Sequence, residues 1–210
     1  SHTIYNGIDT NIFKKFKVEK EEDRPTVVMV ARIDPLKDIE TFIKTAQLVA
    51  KEIPDVLFKL YGPIVDEKYY HHCQDLAKEL NIEHNFLFAG LTNSPQSAYN
   101  EGDVIMLTSI SEAFPFVVIE AMACEKVVIS SDVGGTKEVL EGYGFVIRPK
   151  AYTEFAKKVI YILKNPDVAL EMGMDARESI LNGFTIEDMV ENYGRLYKNL
   201  YNEFQEQKGQ

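Results

Sequence analysis

The chain has 210 residues, a net charge of −10, 45% hydrophobic and 27% charged side chains, and two cysteines. That length holds one large α/β domain or two small ones with a real core, and the acidic balance argues against broad nucleic-acid binding while leaving room for one small anion site built from a few local cations. Apolar runs as short as TVVMVA at 26–31 exclude a membrane span, Cys73 and Cys124 alone exclude a disulfide framework, and the N-terminus lacks a basic region followed by an apolar stretch, so a reducing cytoplasm is the expected setting.

In chain order, the acidic run EKEED at 19–23 reads as a solvated loop entering the first strand. Strands are predicted at 26–31, 56–61, 85–89, 104–107, 127–130 and 145–147, and helices between them at about 38–51, 67–80, 95–101, 115–124 and 136–141. The strands are short and apolar throughout, as strands buried on both faces should be. This alternation predicts an α/β, Rossmann-like, doubly wound parallel sheet with helices on both sides. After Pro149 the pattern is purely helical, at roughly 152–164, 167–181 and 186–205. Thr185 and Asp188 form a cap signature for the last helix, whose apolar stripe runs from Ile186 through Tyr193 and Tyr197 to Phe204. There is no internal repeat, and the whole of 1–210 reads as one domain.

In such a sheet, ligands bind beyond the carboxyl ends of the strands. The first five strands run into ARIDPLK, YGP, GLTN, TSISEAFP and SDVGG, so glycines including Gly62, prolines, Arg32, Lys37 and Glu112 gather on one edge. Arg32 and Lys37 flank a short turn at the mouth of the first strand and can clamp two phosphates, Arg as a fork and Lys as a point charge. Pro115 suits the first turn of the helix beginning there, so the first free N–H groups of that helix, on Phe116 and Val117, make a ready anion site. Glu112 precedes this helix and Glu120 lies on its second turn among Val117, Val118, Ile119 and Ala121, where a carboxylate needs a reason. Phosphate on cations and helix N–H groups, with sugar hydroxyls on two carboxylates, is the outline of a nucleotide-sugar site. His71, His72 and Cys73 are adjacent on one helix and diverge, so no metal site is expected there. Gly134–Gly135 reads equally as a phosphate-facing nest or as the turn before the next helix.

These residues resemble the C-terminal half of a glycosyltransferase family 4 enzyme of the GT-B fold. The resemblance covers nearly the whole chain, from YNGID (5–9) through VARIDPLKDIETFIKTA, FAG, AYNEGDVIMLTSISEAFPFVVIEAM and SDVGGTKEVL to the tail beginning MGMDARESI. Its most specific signal is the glutamate–seven residues–glutamate motif from Glu112 to Glu120, joined to Arg32 and Lys37. The resemblance implies that Arg32 and Lys37 hold the diphosphate, Glu120 the ribose hydroxyls and Glu112, as the catalytic carboxylate, the donor sugar. It places the N–H groups near Phe114 and Phe116 against sugar and phosphate, and the chain near Leu91 beside the base. It also implies transfer with retained anomeric configuration and no metal or other cofactor, while SISEAFP at 109–115 is similar to a subgroup that builds bacterial exopolysaccharides from UDP-sugars, which implies a UDP-sugar donor and a role in polysaccharide biosynthesis. The acceptor, a glycan or a lipid-linked sugar, would be bound by an N-terminal domain preceding residue 1, with peripheral membrane association of the full-length protein. Such a fragment is expected to bind donor but transfer no sugar unaided.

The chain departs from the family at Ala31 and Ala113, where many members have glycine, and at Glu125–Lys126–Val127, where they often have Gly–Lys–Pro. Either Glu125 takes a positive φ at a cost of about 1–2 kcal/mol, or the helix ends differently. Two rival readings are a GT-B-type nucleotide-sugar epimerase half and a non-catalytic receiver-like or flavodoxin-like binding module. A receiver needs clustered acidic residues after its first strand, where this chain carries Arg32 and Lys37.

Overall fold

A computed structural model describes residues 3–19 and 24–208. Ser1, His2 and most of the acidic run, residues 20–23, lie outside the described residues.

Six strands, β1 (Thr26–Val30), β2 (Leu57–Tyr61), β3 (Phe86–Gly90), β4 (Val104–Leu107), β5 (Val127–Ser131) and β6 (Phe145–Ile147), form one sheet in the order β3-β2-β1-β4-β5-β6. Every pairing is parallel. The strand order reverses between β1 and β4, which puts the topological switch point where Arg32, Lys37 and Glu112 come after their strands. The inner strands β1, β4 and β5 are buried along almost their whole length because helices cover both faces, which is why the sequence shows apolar runs there instead of alternation.

The helices are α1 (Ile39–Glu52), α2 (Glu67–Glu79), α3 (Pro95–Glu101), α4 (Phe116–Ala123), α5 (Thr136–Leu140), α6 (Tyr152–Lys164), α7 (Pro166–Leu181) and α8 (Ile186–Lys208). Helix α1 packs on α6, α4 on α7, and α3 on β1. The bounds agree with the periodicity to within a few residues. One difference matters for the site: Pro115 has ψ 96, so it is the N-cap of α4 and stands outside the first turn. Its carbonyl accepts from Val118 N at 3.0 Å.

Helix α8 is capped as its sequence predicts. Thr185 Oγ1 accepts from Asp188 N at 3.0 Å, and Asp188 Oδ2 accepts in return from Thr185 N at 3.3 Å. Its apolar stripe stays in solvent: Val190, Tyr197, Leu200, Tyr201 and Phe204 are all exposed. The opening segment and the start of this helix are joined, with Ile8 N donating to Phe184 O at 2.9 Å and Ile186 N to Ile8 O at 3.2 Å.

Candidate functional site

The loops at the carboxyl ends of the strands are tied to one another before any side chain is considered. Ala31 N donates to Tyr61 O (2.8 Å), Gly62 N to Gly90 O (2.9 Å), Ile110 N to Leu36 O (2.9 Å) and Gly135 N to Ala113 O (3.2 Å). The hydroxyl of buried Thr108, just past β4, donates to the carbonyls of Lys37 and Asp38 at 3.0 Å each. The loops after β1 and β4 therefore form one unit, and Lys37 and Glu112 face each other across it.

Lys37 Nζ lies 2.5 Å from Glu112 Oε1, and both side chains are largely shielded, at 17% and 15% exposure. The same oxygen accepts from Ser109 Oγ at 2.7 Å. With Oε1 taken by two donors, Oε2 has no protein partner among the described residues. Arg32 is more open, and its guanidinium lies 3.3 Å from Asp34 Oδ2. Asp34 also caps the short 3-10 turn Pro35–Lys37 by accepting from Leu36 N at 2.9 Å. Both cations of the expected phosphate clamp thus rest on carboxylates in the free protein.

On α4, Val118, Ile119, Ala121, Met122 and Ala123 are fully buried, leaving Phe116, Val117 and Glu120 as the face toward the loops. No side chain caps this helix. Among the described residues the N–H groups of Ala113, Phe114, Phe116 and Val117 have no protein acceptor, so the segment entering α4 presents several unsatisfied donors. Glu120 is half-buried, and its Oε2 accepts from Tyr99 Oη at 2.6 Å. Burial pushes its carboxyl above the usual range, and the Tyr99 hydroxyl acts in the opposite sense.

The structure brings Lys37, Glu112, Ser109 and the α4 N-terminus together, with Arg32 on the adjoining turn and Glu120 one turn along α4. Leu91 stands at the rim, 71% exposed, beyond β3. Strand spacing puts that strand about 14 Å across the sheet from β4. Gly62 has a packing duty: a Cβ there would sit 1.9 Å from Ala31 O. Phe114 turns its ring into an aromatic group with Tyr5 (6.1 Å) and Phe184 (6.4 Å). Gly134–Gly135 forms the turn into α5, with Gly135 as its N-cap. A Cβ on Gly134, at φ 54, would sit 2.2 Å from Glu112 O, so this glycine seats the Glu112 loop on the β5–α5 turn.

Ser109, Asp34 and Tyr99 carry no signal of their own in the sequence beyond one spacing: Ser109 stands three residues before Glu112 in SISE. His71, His72 and Cys73 diverge as expected: His71 meets Gln74, His72 meets Glu40, and Cys73 is buried. Among the described residues no helix is long and apolar enough to cross a membrane.

A family model described as glycosyl transferases group 1 matches residues 11–179. A trehalose synthase of Thermococcus litoralis is 32% identical over 189 residues, covering 86% of this chain and 45% of its own. An N-acetyl-α-D-glucosaminyl L-malate synthase of Bacillus anthracis is 28% identical over 204 residues, covering 93% and 52%. The crystal structure of a mutant Staphylococcus aureus TarM in complex with fondaparinux, α-GlcNAc-glycerol and UDP aligns with a TM-score of 0.81 at 26% identity, over 93% of this chain and 39% of that one. The chain spans about half the length of the curated relatives it matches.

Proposed function

The chain belongs to the group 1 glycosyl transferases and has the fold of one Rossmann-like half of a GT-B enzyme, and from that premise we propose that it is the donor-binding half of a retaining hexosyltransferase that takes a UDP-sugar. The observation that carries this reading is the Lys37–Glu112–Ser109 cluster lying against the unsatisfied N–H groups that open α4. UDP in the TarM complex supports the choice of uridine.

In this reading an incoming diphosphate takes Lys37 and Arg32 from their carboxylate partners. That exchange keeps both cations satisfied in either state and costs little reorganisation. The N–H groups of Phe116 and Val117 add donors at a helix N-terminus. Glu112 keeps Oε1 on Ser109 and turns its open oxygen to the donor sugar, while Glu120 accepts from the ribose. As the bond from the anomeric carbon to the diphosphate oxygen breaks, the charge growing on the leaving group falls on Lys37, Arg32 and these N–H groups. The acceptor hydroxyl's oxygen then bonds to the same face of that carbon, and its proton passes to the departing diphosphate oxygen. Holding that acceptor is assigned to a further domain outside these 210 residues, and the phosphates need no metal.

Calorimetry with UDP tests the proposal. Removing a hydrogen-bond partner of a charged group costs about 1.5–3 kcal/mol, so Arg32→Ala weakens binding about tenfold or more. EDTA leaves the affinity unchanged. Equal affinity of the variant and the unaltered chain, or tighter binding of GDP than of UDP, would contradict the assignment.

A further inference from the structure

Tyr99 is a fully buried phenol on α3 whose hydroxyl is directed at a carboxylate on another helix. Its ring packs beside Phe13, with centroids 6.3 Å apart. Building the ring alone would need only a phenylalanine, since burying an unpartnered hydroxyl costs stability. The hydroxyl does have a partner, Glu120 Oε2 at 2.6 Å. The other oxygen, Oε1, has no protein partner among the described residues, and it is not one of the buried polar atoms left without a hydrogen bond. One oxygen is anchored inside and the other is open on the face that carries Phe116 and Val117.

Glu112 is held in the same manner, with Ser109 and Lys37 on one oxygen and the other open. The two motif carboxylates differ in what anchors them. Glu112 has a cation and a hydroxyl, whereas Glu120 has the Tyr99 hydroxyl as its sole side-chain donor among the described residues. The other titratable groups near Glu120 are Cys124, the residue that ends α4, and, around Cys124, Lys126 and, on α7, Arg177.

We infer that Tyr99 is a positioning residue for the donor ribose: its hydroxyl fixes one oxygen of Glu120 so that the other accepts from the sugar hydroxyls. This rests on the donor-site reading above, in which Glu120 meets the ribose. The hydroxyl has two separate effects. It fixes the side-chain rotamer, and it favours the ionised carboxylate against the burial that disfavours it. A protonated Glu120 would offer the ribose a poorer acceptor, so donor affinity falls as pH drops through the raised titration of this group. Without the Tyr99 hydroxyl that fall begins at higher pH.

The test is calorimetry on the 210-residue chain with two probes, UDP and 2′,3′-dideoxy-UDP, across pH, for Tyr99→Phe, Glu120→Gln and the double variant. The expected loss of UDP affinity in Tyr99→Phe is about fivefold to tenfold, with the dideoxy probe unchanged and the acid limb of the UDP profile displaced to higher pH. In the Glu120→Gln background the Tyr99 change adds less than about twofold, since the two act as one unit. Equal weakening of both probes by Tyr99→Phe, or an unmoved pH profile, would show a merely structural tyrosine and overturn the inference. If Glu120→Gln itself leaves UDP affinity unchanged, the ribose assignment of Glu120 fails first and the role of Tyr99 falls with it.

Discussion

Glu125 holds the left-handed position that ends α4. Its φ is 57, Lys126 N donates to Ala121 O at 3.1 Å, and Glu125 N donates to Met122 O at 3.0 Å, the paired bonds of a Schellman ending that normally has glycine there. The glutamate is partly compensated by an ion pair to Lys15 at 2.9 Å, but that pair is half in solvent and is worth at most about 1 kcal/mol. Relief of the backbone strain is worth about 1–2 kcal/mol. Glu125→Gly should therefore melt above both the unaltered chain and Glu125→Ala, which loses the ion pair while keeping the strain. A glycine variant that melts no higher than the alanine variant would show that the left-handed turn carries no strain. This position was legible in the sequence because a family glycine is missing there and helix ends obey local rules. Lys37 and Glu112 were legible from their places after β1 and β4. The anchors Ser109 and Tyr99 were not, because their contacts depend on which faces of α3, α4 and the loops meet, and no local pattern encodes that.

Among the elements, the β5–α5 turn does more for the site than its length suggests. Gly134 and Gly135 let the turn lie against the backbone of Glu112 and Ala113, and Gly135 N donates to Ala113 O at 3.2 Å. Gly134→Ala must push the Glu112 loop outward or distort a turn already at positive φ. The expected cost is about 1–3 kcal/mol, read as a melting temperature about 3–9 °C lower for a domain of this size. UDP affinity should fall with it. An unchanged melting temperature would mean that the two loops do not rest on one another. Helices were readable from periodicity because burial on one face writes itself into residue spacing, and strands were readable as short apolar runs because they are buried on both faces. The stripe of α8 was legible as a stripe, but only the fold shows that Val190, Tyr197, Leu200 and Tyr201 stay largely exposed on it.

At the scale of the whole molecule, the two edges of the sheet differ in kind. The carboxyl edge carries the cations, the paired carboxylates and the unsatisfied N–H groups. The opposite edge has a cavity of about 440 Å³ lined by Lys15, Arg24, Asp103, Glu125 and Lys126 over an apolar floor that includes Ile162 and Leu163. Three of its lining residues, Lys15, Arg24 and Lys126, are basic. Its polar groups, however, serve the fold: Arg24 donates to the carbonyls of Asp55 and His84, Lys126 to Asn100 O, and Asp103 accepts from Thr26 N. The carboxyl edge instead offers donors without acceptors, which is what an anion requires. Amide chemical-shift mapping on the isotopically labelled chain, titrated with UDP, separates the two edges in one measurement. Shifts should concentrate at Arg32, Lys37, Ala113, Phe114, Phe116, Val117 and Glu120, with residues around Lys15, Arg24 and Lys126 unmoved. A titration that instead perturbs the residues lining the opposite cavity, and leaves those at the start of α4 in place, would contradict the account.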